Sequence, residues 1–301
     1  MMKVLVTGSE GEVGSVLLPQ LAKRHDTVGF DRRPHEGALR AIQGDLTDYG
    51  QIAAALEGVE AVVHMAALLP IADRTPGDFV DLNVKATATL LQAAVDRGVR
   101  RFVYCSSVWA SGHGLTEPYQ PIDEEVPCEP VCMYGQTKWL GELMTEYYAR
   151  QHGLEAVIIR FCGYHAARGY DSEGRIDWSE ADVPALFLRY LGAGFKLMNP
   201  VDLGEAFGRA VESPAAPGQR FVVGCYTPYG GAEAGELRSL PRAVVERHYP
   251  GVPELLEELG LSVPEVPYYF SHEKARGQLG FRSQHDLGEV ARLYREWRDS
   301  Q

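Results

Sequence analysis

Cysteine is scarce in this chain: five residues among 301, at 105, 128, 132, 162 and 225. The odd count and irregular spacing give no disulfide framework. Cys128 and Cys132 are separated by three residues, one of them proline, and no second Cys/His pair follows. Loop or core thiols are therefore expected, and no metal site. Basic residues are also outnumbered, 29 Lys and Arg against 41 Asp and Glu, for a net charge of −12. No basic patch dominates, which argues against a nucleic-acid or anionic-membrane partner. No apolar run is long enough to cross a bilayer, and "MMKVLVTG" enters a strand without a secretory-leader pattern. A cytoplasmic protein with a small-molecule substrate is expected. There is no internal repeat and no low-complexity segment.

What is present is an ordinary globular composition, 45% hydrophobic and 23% charged. The first half alternates short apolar runs with longer helical patterns. Strands are predicted at 3–8, 27–31, 40–45, 61–66, 101–107 and 155–161, and helices at 12–24, 48–57, 78–97 and 134–152. Pro19 is expected to kink or end the first helix, and Gly98 suits a left-handed helix terminus. A strict β-α-β-α order with apolar strands implies an α/β, Rossmann-type, doubly wound parallel sheet covered by helices on both faces. After residue 161 the rhythm fails. Residues 163–185 are polar and Gly-rich with interspersed Tyr and Trp. Helical patterns follow near 184–192, 202–212 and 235–248, with a strand at 219–225 and a mostly helical last fifty residues. The chain is divided accordingly: 1–161 as a nucleotide-binding domain, and 162–301 as a smaller, mixed substrate domain interleaved with the end of the sheet.

Several short stretches carry chemistry. In "VTGSEGEVGSV", Gly8, Gly11 and Gly14 join the first strand to the first helix. Such glycines permit the sharp turn, the approach of backbone N–H groups to a pyrophosphate, and close helix–strand packing. The helix N-terminus then faces the phosphates. Asp31 ends strand two, 23 residues after Gly8. An acid there accepts hydrogen bonds from the adenosine ribose and repels a 2′-phosphate, which favours NAD. Arg32 and Arg33 follow and could cradle that phosphate, so NADP stays possible. Asp45, in "GDLTD", is placed to meet the adenine amino group, with Thr47 or Asp48 as a helix cap. Finally "MYGQTKW" sets Tyr134 and Lys138 one helical turn apart.

Together these motifs resemble the extended short-chain dehydrogenase/reductase family, the NAD-dependent epimerase/dehydratase group. The family's motifs appear in order as "TGSEGEVG", Asp31, "GDL", "HMAA" (64–67), "NVKAT" (83–87, with Ala86 where Gly is usual), "CSSVWASG" and "YGQTK". Late segments "NPVDLGEAFGRAVE" and "SHEKARGQLGFRSQHDLGE" extend the likeness over nearly the full chain. The resemblance implies that Ser107, Tyr134 and Lys138 are catalytic. It implies a cofactor site built from Gly8, Gly11, Glu12, Val13, Gly14, Asp31, Arg32, Asp45, Leu46, Ala66, Ala67, Asn83 and Ser106, together with Tyr134 and Lys138.

Hydride transfer would need acid–base help. A free tyrosine has a pKa of about 10, and Lys138 and a cationic nicotinamide would favour its phenolate. Ser107 would orient the substrate oxygen, with Ser106 as the structural alternative. Val108 and Trp109 stand where the family's dehydratases carry acids, so dehydration is disfavoured. Gly163 stands where many nucleotide-sugar enzymes carry Asn. That favours net oxidoreduction of a secondary alcohol in a sugar, sugar acid or similar small substrate. A sugar or nucleotide-sugar epimerase with retained NAD is the alternative, and a non-catalytic dinucleotide sensor is a third reading. His64 reads as a core or cofactor-edge histidine. Trp109, Tyr164, Tyr170 and Trp178 could wall a pocket, though loop aromatics usually just pack. The resemblance also implies a homodimer through the helices near 78–97 and 134–152.

Overall fold

The computed structural model describes residues 1–37, 39–70, 74–163, 170–171, 173–191 and 198–301. Among these, seven strands form one parallel sheet in the order β3-β2-β1-β4-β5-β6-β7. They are β1 (Lys3–Thr7), β2 (Asp26–Asp31), β3 (Ala41–Gln43), β4 (Ala61–His64), β5 (Arg101–Ser107), β6 (Glu155–Phe161) and β7 (Arg220–Val223). The order reverses between β1 and β4, and the crevice outside the strand ends at such a switch is where α/β sheets bind ligands.

Helices cover both faces. They are α1 (Gly14–Ala22), α2 (Tyr49–Ala55), α3 (Pro76–Phe79), α4 (Ala86–Asp96), α5 (Met133–His152), α6 (Val183–Leu191) and α7 (Pro200–Glu212). One apolar cluster joins Val4, Val6, Val63, Val103 and Ile159 to Leu17 of α1 and Phe207 of α7. The other joins Leu5, Val62, Phe102 and Ile158 to Ile52 of α2 and Leu90 of α4. Alternate residues of each strand thus feed opposite faces.

Several local expectations hold. Asp48 caps α2 through Gln51 N–H, and Gly98 has φ +70° just after α4. Others differ for physical reasons. α1 continues through Pro19 to Ala22. The expected helix at 78–97 is α3 and α4 joined by a π-helical turn, Val80–Lys85, which contains Asn83. The pattern at 235–248 splits into α8 (Ala234–Ser239) and α9 (Pro241–His248), because Pro241 suits only a helix start.

The last fifty residues carry α10 (Val252–Glu258), a π-helical turn (Ala275–Leu279) and α11 (Leu287–Asp299), and the non-helical run 261–272 between the first two passes beside β7. Its Phe270 bridges to Ile122, and His272 Nδ1 lies 3.3 Å from the Val222 carbonyl. Glu124 accepts the Val222 N–H on the same outer edge at 2.6 Å. An edge strand's unpaired backbone groups need such partners. A third cluster, built from Phe187, Tyr190, Tyr229, Tyr269 and Tyr294 with α8 to α11, forms the C-terminal core.

Candidate active site

The glycine turn after β1 is set by close backbone approach. Gly8 has φ +70°, and a Cβ there would lie 2.7 Å from the backbone of Ala66, which follows β4. A Cβ on Gly14 would fall 2.0 Å from the Gly8 carbonyl oxygen, and one on Gly11 at 3.0 Å. The turn therefore closes only with glycine at 8 and 14, and it leaves little room for a side chain at 11. α1 starts at Gly14 after Val13, with no side-chain cap and no acid in its first turn. Such a helix terminus suits an anionic diphosphate, so the residues present fit a dinucleotide. Glu12 and Val13 lie on the same turn.

Asp31 sits at the carboxyl end of β2 beside this turn. Its Oδ2 accepts the Glu10 N–H and its Oδ1 the Arg33 N–H, each at 3.0 Å. The Arg32 carbonyl accepts Gln43 Nε2. Asp45 is exposed, and its Oδ1 accepts both Thr47 N–H and Thr47 Oγ1–H at 2.8 Å. Those bonds hold its carboxyl below the usual range, and they turn it towards its own loop. Leu46 is buried behind it. Ala66 and Ala67 continue from β4, half-buried. Asn83 is fully engaged: Oδ1 accepts Leu68 N–H at 2.7 Å, and Nδ2 donates to Leu68 O and Thr137 Oγ1. It ties the segment after β4 to α5.

The end of β5 and the start of α5 come together through another glycine contact. A Cβ on Gly135 would lie 2.3 Å from the Trp109 carbonyl oxygen. This approach brings Tyr134, at the start of α5, to the Ser107 end of β5. Ser107 Oγ accepts the Trp109 N–H at 3.3 Å, which leaves its own proton free to donate. Burial pushes Tyr134 well above the usual phenol range, and the Ser107 hydroxyl opposes that rise. Lys138 is 3% exposed, and its Nζ donates to the Cys105 carbonyl at 2.7 Å. Burial lowers its pKa, with Cys105 and Glu142 opposing. Its Nζ is 5.9 Å from the Tyr134 ring centre. The expectation of a phenol poised by Lys138 is thus modified: burial outweighs every other influence on Tyr134.

The two serines part company here. Ser106 Oγ donates to Glu142 Oε1 at 2.6 Å on the core side, whereas Ser107 faces Tyr134. Glu142 is completely buried. Its carboxylate meets Arg160 Nε and Nη2 at 3.0 Å and Arg220 Nε at 2.8 Å. Arg160 Nη2 also donates to Cys128 Sγ. This brace was missed in the sequence. Its signal was Glu142 one turn beyond Lys138, together with an arginine inside the apolar strand β6.

His64 is a core residue, held by Thr7 Oγ1 at 2.7 Å and Thr87 Oγ1 at 2.9 Å, and burial lowers it to about 3. Trp109 stacks on His113 at 3.8 Å. Trp178 packs near Tyr294 and Trp297, and Tyr170 bonds Tyr190. Tyr164 lies outside the described residues. Among the described residues no cluster of His, Cys, Asp and Glu could hold a metal, and no helix is long and apolar enough to cross a membrane.

Known proteins match this arrangement. The profile of the "NAD dependent epimerase/dehydratase family" matches residues 4–181. A UDP-glucose 4-epimerase of Rhizobium meliloti (strain 1021) is 30% identical over 326 residues, 98% of this chain and 96% of its own. An L-arabinose 1-dehydrogenase (NAD(P)(+)) of Haloferax volcanii is 29% identical over 223 residues, 71% of this chain and 84% of its own. Among solved structures, a short-chain dehydrogenase/reductase superfamily protein from Agrobacterium tumefaciens with bound NAD superposes with a TM-score of 0.71. It is 24% identical over 99% of each chain and shares the fold.

Proposed function

The chain belongs to the NAD dependent epimerase/dehydratase family, NAD-using enzymes of the extended short-chain dehydrogenase/reductase type, and from this we propose that it epimerises a sugar or nucleotide-linked sugar at one secondary alcohol. The observation that carries the chemistry is the burial of Ser107, Tyr134 and Lys138 where the end of β5 meets the start of α5, with Lys138 Nζ fixed 2.7 Å from the Cys105 carbonyl. Net oxidoreduction was the leading expectation from the sequence. The full-length likeness to a UDP-glucose 4-epimerase now weighs more heavily.

Bound NAD supplies the hydride acceptor and donor. Oxidation of a C–OH requires the Tyr134 phenolate to take the hydroxyl proton, and reduction of the ketone requires the phenol to return it. The Ser107 hydroxyl, oriented by Trp109 N–H, stabilises the phenolate and holds the substrate oxygen against it. Lys138, anchored on Cys105 O, supplies a fixed ammonium for the nicotinamide ribose. Asp31 and the glycine turn hold the adenosine and diphosphate. The C-terminal aromatic core and the chain beyond residue 162 form the substrate-binding part. Exposed Leu143 and Tyr147 on α5 fit a homodimer through this helix and the helical run 76–96.

A second reading, net dehydrogenation of a smaller sugar, rests on Gly163, which offers no side chain to a nucleotide diphosphate. One experiment with two readouts separates them. Washed protein is denatured and the released nucleotide assayed, and the native protein is incubated with UDP-glucose and its sugars resolved. Stoichiometric retained NAD(H) with interconverted sugars supports the epimerase. Nucleotide-free protein that reduces added NAD with free aldoses or uronates supports the second reading.

A further inference from the structure

The loop after β2 and the glycine turn are joined almost entirely through one residue, Glu10. Its N–H donates to Asp31 Oδ2 at 3.0 Å, and its carbonyl accepts the Arg33 guanidinium. Its carboxylate lies 2.7 Å from His35 Nδ1 and also accepts Ser9 Oγ at 3.3 Å. The approach is possible because β2 has glycine at 29: a Cβ there would lie 2.7 Å from Ser9 Oγ. Arg33 is further engaged by Asp31, with Nε 3.5 Å from Oδ1. Arg32, the other cation of this loop, exerts its charge on Asp45.

We propose that Glu10 is a second selector of NAD over NADP, acting beside Asp31 by committing the two donor side chains, Arg33 and His35, that a 2′-phosphate would require. The inference rests on the nucleotide-binding reading of the glycine turn. A 2′-phosphate carries a charge of about −2 near neutral pH and would enter next to the Asp31 carboxylate. Offsetting it takes local cations. Here the Arg33 guanidinium is held on a backbone carbonyl, and the His35 ring faces a carboxylate. Glu10 therefore both occupies the donors and adds a repelling charge. An unphosphorylated ribose needs neither donor, because its hydroxyls donate to the lone pairs left on Asp31.

The test is calorimetric titration of the full chain, stripped of retained nucleotide with activated charcoal and assayed to be empty, with NAD and with NADP, for wild type, Glu10→Gln, His35→Ala and Glu10→Gln/His35→Ala. Melting curves check that each variant folds. Glu10→Gln should shift the ratio of the two dissociation constants towards NADP by about tenfold, the scale of one charge acting on a doubly charged group a few ångströms away in water. His35→Ala in that background should reverse most of the gain. His35→Ala alone should shift the ratio the other way, because Glu10 then keeps an unopposed charge, and this variant decides the matter if Glu10→Gln fails to fold. A ratio within threefold of wild type in Glu10→Gln, or a shift towards NADP in His35→Ala alone, overturns the proposal. Wild type that binds neither nucleotide would overturn the parent reading as well, whereas wild type that binds NAD with an unmoved variant ratio overturns only the role of Glu10.

Discussion

Along the carboxyl ends of β1, β4 and β5 the chain places glycines, hydroxyls and a buried ammonium, whereas the C-terminal cluster packs tyrosines, Phe187 and aliphatic side chains against one another. Atoms in the first region stand where one specific side chain, or none, fits: Gly14 against Gly8 O, Gly135 against Trp109 O, Lys138 on Cys105 O. In the second, any apolar side chain of suitable volume would serve. The first kind of region is defined by close approach and charge, the second by filled volume. They should therefore respond differently to substitution.

The largest effects come from breaking each region by its own principle. Phe187→Ala empties a fully buried site beside Tyr294 and should cost about 3–5 kcal/mol. Glu142→Gln, which leaves Arg160 buried without its carboxylate, should cost about 3–5 kcal/mol as well. Urea unfolding at constant m measures both. If Glu142→Gln proves neutral, the brace under α5 is packing rather than charge, and the contrast weakens.

Gly141→Ala comes next. The added Cβ would lie 2.0 Å from the Tyr104 hydroxyl, and overpacking of this kind costs about 1–3 kcal/mol. A larger apolar addition in the other region, Ala291→Val in the C-terminal core, should still cost less if that region adapts by repacking. Comparable losses in the two variants would erase the distinction.

The smallest effect is a pH dependence. Burial lowers His64 to about 3 and His272 to about 4, against about 6.5 when unfolded. Below about 6.5 the unfolded chain binds protons that the folded chain does not, so stability falls as pH falls. Each histidine should cost ~1 kcal/mol at pH 5.5 relative to pH 7.5. Melting at both pH values, with His272→Gln reducing the drop, checks the sign. A midpoint that rises on acidification contradicts it.

The same contrast explains what could be read from the sequence. Glycine spacing, the acid after β2 and the Tyr134–Lys138 turn are local patterns, because the contacts that demand them lie within a few residues or at fixed strand ends. The parallel sheet followed from apolar runs in strict alternation with helices. Choosing between Ser106 and Ser107 needed the pleat, which sends one hydroxyl to Glu142 and the other to Tyr134. The Glu142–Arg160–Arg220 brace spans sequence separations that no short pattern reports. The last fifty residues look mostly helical by composition, yet 261–272 is not helical and covers the edge of β7. The substrate-binding role proposed for the aromatic region has no such signature, because many of its apolar residues are interchangeable.

The central claim is that Tyr134 moves the proton, and it is tested by turnover of Tyr134→Phe. Wild type and variant are assayed with nucleotide sugars for epimerisation and with free sugars and uronates for NAD reduction, alongside NAD affinity and melting. The account predicts a loss of turnover of roughly 100- to 10,000-fold on whichever substrate the wild type uses, with folding and NAD binding retained. Turnover within a few-fold of wild type would contradict it.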